Sequence, residues 1–225
     1  MLAQLSLFEQ SIFVLAALLL YTCFSLLAHT RLLDLVRVFA LQGLLLAMTA
    51  ALVAWVLKQP HLYISAILTL VLKAIFIPYA LHRLVFKLKL NHVTEKIRAH
   101  NLVLLSGVML VIFSYYIALP IEQTSSDTIT RHIIAISLAM VLLGMLLIIS
   151  RSQAVSQVIG FMAIENGLFF AAVVSTHGMP MVVELGIAFD VFVAMVVFGV
   201  FFFQIRENID SLDVDQMNQL SEVEK

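Results

Sequence analysis

Long apolar runs separated by short polar stretches make up almost the whole chain. A helix rising 1.5 Å per residue needs about 20 residues to cross a hydrocarbon core. Seven runs qualify: Leu5 to Ala28, Val36 to Leu57, Leu62 to Phe86, Leu102 to Leu119, His132 to Ser150, Ala154 to Ser175 and Met181 to Ile205. Apolar residues in these runs are continuous and do not alternate with polar ones, which excludes a membrane β-barrel and leaves helices as the spanning elements. The longest connections, Lys87 to Asn101 and Pro120 to Arg131, are too short for a soluble catalytic domain. The pattern predicts an all-α integral membrane protein with seven transmembrane helices.

Composition agrees. Hydrophobic residues are 62% of the chain and charged residues 12%, with a mean hydropathy of +1.06. Globular domains carry about a quarter charged residues. The opening MLAQLSLFEQ has Glu9 but no Lys or Arg, so it lacks the basic start of a cleavable signal peptide, and the first run reads as a retained span.

The basic residues supply an orientation. In a seven-span arrangement Arg31, Arg37, Arg83, Lys87, Lys89, Lys96, Arg98, Arg151, Arg206 and Lys225 fall on one side, and only Lys58 and Arg131 on the other. Basic residues in short loops favour the cytoplasm, which puts the N-terminus outside and the C-terminus in the cytoplasm. An even number of spans breaks this segregation. The acidic tail 207–225 reads as a polar cytoplasmic extension, either disordered or laid as a surface helix on a partner. The chain has no inverted repeat of the kind that builds many secondary transporters.

Chemistry-bearing residues are few. Cys23 is the only cysteine and lies within the first run, so it reads as a small core residue, with neither a disulfide nor a thiolate metal site to join. His29, His61, His82, His92, His100, His132 and His177 occupy loops or helix ends without metal-ligand spacing. No phosphate-cradling glycine loop and no nucleophilic triad is present. The expectation is therefore no metal, no cofactor, no catalytic residue and no nucleic-acid partner.

Three formal charges remain deep in apolar runs: Lys73, Glu165 and Asp190. A charge at the centre of a membrane helix costs roughly 2.5 to 3.5 kcal/mol even on lenient scales, so each needs a reason. Helical rise places all three roughly 14 to 17 Å below the outer surface, near the midplane of a core about 30 Å thick. They share a layer.

At 100° per residue Gly160, Ala163, Gly167 and Ala171 form a small-residue stripe that admits another helix closely. Glu165 lies on a different face, among Val158, Met162, Phe169 and Ala172, so protein is expected on both sides of this helix. Asp190 shares its face with Gly186, where the missing side chain leaves room for a backbone or for water. Lys73 stands five residues before Pro78 in LTLVLKAIFIPYALHRL. A proline there removes the hydrogen bond to the Ala74 carbonyl and kinks the helix beside the buried amine, a place for water to enter. Glu184, near the outer end of the last run, is a candidate mouth or anchor. One lysine can neutralise only one of two acids. A Lys73 ion pair holding the bundle in register therefore leaves a second carboxylate to bind and release a proton.

The stretches GFMAIENG around Glu165 and VELGIAFD around Asp190 resemble component E of hydrogenase-4 and formate hydrogenlyase type complexes. LKAIFIP around Lys73 is similar to that family's third span. More distantly, the last three spans resemble the three-helix NuoK chain of respiratory complex I and the MrpC chain of multi-subunit cation/proton antiporters. The closing NIDSLDVDQMNQL is also similar to the cytoplasmic end of NuoK. The resemblance implies a division into a four-helix segment (1–130), a three-helix segment (131–206) and the tail (207–225). It places Glu165 and Asp190 at the lateral proton-path carboxylates of NuoK, although Asp190 stands where NuoK has the longer glutamate. The implied function is a non-catalytic subunit of a complex I-related, hydrogenase-type assembly in a bacterial or archaeal cytoplasmic membrane. In it Lys73, Glu165 and Asp190 relay protons or sodium ions, with antiporter-like and NuoH-like chains as neighbours. The alternatives are a scaffold that docks antiporter-like subunits, and a subunit of a cation/proton antiporter without hydrogenase.

Overall fold

A computed structural model of the chain describes residues 7–58, 60–87, 100–120 and 128–175, together with 186, 188, 191–193, 195, 196 and 199. All regular structure among them is helical, in the order α1 (Leu7–Ala28), α2 (Leu32–Leu57), α3 (Pro60–Thr69), a π-helical segment (Leu70–Phe76), α4 (Ile77–Lys87), α5 (His100–Ala118), α6 (Thr128–Ser150) and α7 (Ala154–Ser175). Among the described residues six helices are long and apolar enough to cross a membrane, the third being α3, the π segment and α4 taken together. The chain is a multi-pass membrane protein. Asp190, Glu184, the tail and most of the seventh run lie outside the described residues, although positions 186, 188, 191–193, 195, 196 and 199 of that run are helical.

Helix ends depart from the hydropathy edges where polar side chains carry a helix past the apolar run. Helix α2 begins at Leu32, before the run that starts at Val36, because Asp34 and Arg37 pair at 3.2 Å across one exposed turn. It ends on Lys58, whose φ of 53° and ψ of 34° place it in the left-handed region that terminates helices. Pro60 then opens α3, a position where its missing N–H is not needed.

The disturbance expected at Pro78 takes the form of a π segment just before it. Ile77 N–H reaches back five residues to the Leu72 carbonyl, and Pro78 has no N–H to offer the next carbonyl in that series, which belongs to Lys73.

Helix α7 packs between α6 and α2, and α6 also meets α1 and α5. The small-residue stripe is the α6–α7 seam. A Cβ on Gly160 would stand 3.2 Å from the Gly144 carbonyl oxygen, and one on Gly167 3.1 Å from that of Ser137. Helices α1, α2, α3, α4, α6 and α7 all contribute side chains to one apolar core. Helix α5 is peripheral, burying Gly107, Ser114 and Ala118 and presenting Leu102, Met109, Ile112 and Tyr116 outward.

Candidate functional site

Lys73 is fully buried and is the centre of a polar cluster inside this apolar bundle. Its position depends on α2. Gly43, the first residue after Gln42, lets α2 approach the π segment so closely that a Cβ there would stand 2.8 Å from the Lys73 carbonyl oxygen. The same approach brings Gln42 and the lysine to one level. Across from them α7 presents Glu165, Asn166 and Phe169, which are neighbours at helical spacing.

The ammonium of Lys73 forms a salt bridge with Glu165 Oε2 and donates to Asn166 Oδ1 at 2.9 Å. It also lies 5.1 Å from the centre of the Phe169 ring, within the range where the negative face of an aromatic ring attracts a cation. Asn166 Nδ2 donates to Gln42 Oε1 at 3.1 Å, and Gln42 Nε2 donates to Cys23 Sγ, also at 3.1 Å. The result is a series of polar contacts crossing the bundle from the π segment of the third span through α7 and α2 to α1. Each amide satisfies one donor and one acceptor, as burial in hydrocarbon demands.

One atom breaks this economy. Glu165 Oε1 is buried and has no hydrogen-bond partner among the described residues. It points towards the seventh run: a Cβ on Gly186 would lie 3.4 Å from it. A carboxylate with one oxygen on an ammonium and the other unpartnered can hold a proton on that second oxygen or receive a bond from a further donor. Glu165 is also the less enclosed member of the pair, its side chain 12% exposed against 0% for Lys73.

Of the sequence-derived candidates, the structure thus brings Lys73 and Glu165 into contact and sets Gly186 beside Glu165. Pro78 is at the start of α4, directly after the π segment that carries Lys73. Asp190 and Glu184 are outside the described residues. Sequence reasoning missed Asn166 and Gln42, because attention to formal charge passed over the amides. The available signal was simply an uncharged polar residue in the middle of an apolar run, adjacent in each case to a residue with a role of its own: Glu165 for Asn166, and Gly43 for Gln42. His132, expected in a loop or at a helix end, lies within α6 and packs its ring against Phe13 and Tyr115 at 5.8 Å each. Among the described residues no group of His, Cys, Asp and Glu could hold a metal ion.

A second buried cation has a structural place. Arg151, between α6 and α7, donates from Nη2 to the carbonyls of Leu26, Leu27 and His29 at 3.0, 3.1 and 2.6 Å. These are carbonyls at the C-terminal end of α1, where a helix has acceptors without intrahelical donors and a partial negative charge. Its own carbonyl accepts from Gln157 Nε2 at 3.0 Å.

No family model matches the chain, and no solved structure matches it either. It is 30% identical over 188 residues to the uncharacterized protein Rv0085 of Mycobacterium tuberculosis, an overlap that covers 82% of this chain and 84% of that protein. It is 22% identical over 182 residues to hydrogenase-4 component E of Escherichia coli K12, covering 81% of this chain and 84% of the relative, and matches hydrogenase-4 component E of Shigella flexneri to the same extent. The chain therefore belongs to the family of the Mycobacterium tuberculosis protein Rv0085, and it carries a weaker relationship to hydrogenase-4 component E.

Proposed function

We propose that this protein is a non-catalytic membrane subunit of a hydrogenase-type complex, in which Lys73, Glu165 and Asp190 pass protons within the plane of the membrane. The observation that carries the reading is the buried Lys73–Glu165 pair whose second carboxylate oxygen has no partner among the described residues and is turned towards Gly186. A proton on Glu165 weakens its hold on Lys73, and its loss restores the pair, so the site has two charge states of comparable geometry. Asp190 follows Gly186 by one helical turn in the sequence and is the next acceptor in line. Electron transfer and hydrogen chemistry belong to other chains. The neighbours in this reading are antiporter-like chains and a NuoH-like chain, in a bacterial or archaeal cytoplasmic membrane, with the N-terminus outside.

The test is Glu165→Gln in the assembled complex, with proton translocation and electron transfer measured together. Electron transfer continuing with fewer protons moved per electron supports the relay. Unchanged coupling in a normally assembled complex overturns it.

One observation favours a second reading. Lys73 is fully enclosed and bonded to both Glu165 and Asn166, the arrangement of a clamp that sets helix register. In that case the protein is a scaffold for its membrane neighbours, and Asp190→Asn abolishes assembly without producing an isolated coupling defect.

A further inference from the structure

Hydroxyls in the third span behave differently from those elsewhere in the bundle. A Ser or Thr within a helix ordinarily returns its hydroxyl to a carbonyl one turn back. Thr22 donates to Leu19 O at 2.6 Å, Thr49 to Leu45 O at 2.9 Å, Ser114 to Val111 O at 2.7 Å and Ser137 to Ile133 O at 2.8 Å. Ser65 and Thr69 do not. They are 2% and 1% exposed, yet neither Oγ has a hydrogen-bond partner among the described residues. A buried hydroxyl without a partner is destabilising, and the ordinary remedy is a bound water.

Their placement is what gives them meaning. Ser65 and Thr69 are one turn apart on α3, and Lys73 stands one turn further on in the π segment. Hydroxyls a turn apart are separated by about 6 Å along the axis. One water bonded at about 2.8 Å to each neighbour covers that gap.

Helix α3 packs on α2, antiparallel to it across the Lys58 turn. With Gly43 against Lys73 as the register mark, the buried Ala47 and Ala50 of α2 fall at about the heights of Thr69 and Ser65. Alanine side chains carry no hydrogen-bonding group, so α2 offers the hydroxyls no side-chain partner at these heights.

We propose that Ser65 and Thr69 hold a file of waters along the α2–α3 seam, running from the bundle end at Lys58 to Lys73 and supplying protons to the Lys73–Glu165 pair. This rests on the relay reading of that pair. In the transfer, Lys73 gives one N–H proton to the Glu165 carboxylate and takes a replacement from the nearest water. Each water and hydroxyl behind it accepts one proton and releases one, and a hydronium ion from bulk solution at the Lys58 end supplies the last and leaves as water. The lysine ends as it began and Glu165 ends neutral.

Two measurements on membranes carrying the assembled complex test the file. Radiolytic hydroxyl-radical labelling finds buried water through the side chains beside it, so buried Leu62 and Ala66 should label well above Leu46 of the apolar core. Equal, background labelling of all three overturns the proposal. Proton delivery is then compared in Thr69→Val, Thr69→Ser and Ser65→Ala. Thr69→Val preserves shape but cannot bond water, and should slow proton translocation roughly tenfold, the effect of about 1.4 kcal/mol on a barrier. Thr69→Ser keeps the hydroxyl and should retain the rate. Coupling intact in Thr69→Val and Ser65→Ala but lost in Glu165→Gln overturns the file and leaves the relay standing. Coupling intact in all of them overturns the relay, and the file with it.

Discussion

Gly43 lies against the main chain of Lys73: a Cβ added to it would stand 2.8 Å from both the carbonyl carbon and the carbonyl oxygen of that residue. The obstacle is backbone, which cannot swing aside as a side chain can. Gly43→Ala should therefore push α2 off the π segment and cost about 1 to 3 kcal/mol, the usual penalty of overpacking. A lowered unfolding temperature of the purified protein in detergent is the readout. Gly107→Ala is the control, since its added methyl would meet only side-chain atoms, the nearest at 3.2 Å, and should cost less.

Asn166 connects the ion pair to the amide of Gln42. Asn166→Leu removes both bonds and leaves Gln42 Oε1 facing hydrocarbon, which should cost about 1 to 3 kcal/mol. Replacing Gln42 with Leu in the same chain removes the stranded acceptor as well. The double variant should then be less destabilised than the two single losses added together, a non-additivity that a thermal-melt double-mutant cycle measures directly.

Arg151 fastens the α6–α7 connection to the end of α1 through three carbonyls. A hydrogen bond to a charged group contributes about 1.5 to 3 kcal/mol, so Arg151→Ala should be strongly destabilising, with carbonyls of α1 losing their donor. Arg151→Lys should recover only part of this, because it keeps the charge but its shorter side chain stops short of the position that Nη2 occupies between the three carbonyls. Limited proteolysis near residues 29–31 should follow the same order, slowest in the native chain and fastest in the alanine variant.

How much of this is legible in the sequence follows from what each feature depends on. Six spans are readable because hydropathy over 20 residues is a local property, and their ends slip by a few residues, as at α2, where Asp34 and Arg37 pair ahead of the apolar run. The common depth of Lys73 and Glu165 is readable from helical rise, and the two do meet. The stripe around Gly160 is readable as a close-packing face, though α6 as its partner is not, since nothing local in a stripe names the helix opposite. Asn166 and Gln42 stay hidden for the same reason: an amide acquires its role from a partner 124 residues away. Arg151 is legible only as a charge at a membrane boundary. Its burial depends on where α1 happens to end.

The two readings of the Lys73–Glu165 pair make opposite demands on a double replacement. Removing one member alone leaves the other charge uncompensated in a low-dielectric interior, so Lys73→Met or Glu165→Leu should each cost about 3 to 5 kcal/mol. Replacing both removes the uncompensated charge, and apolar side chains of similar volume are commonly as stable as the buried pair they replace. The Lys73→Met, Glu165→Leu protein should accordingly melt near the native temperature and assemble with its neighbours. If the pair is only a clamp, that protein should also translocate protons normally, because packing has been restored. In a relay no apolar pair can carry a proton, and translocation should be lost in a complex that is otherwise intact. Measuring melting temperature, assembly and protons moved per electron on this one double variant separates the two.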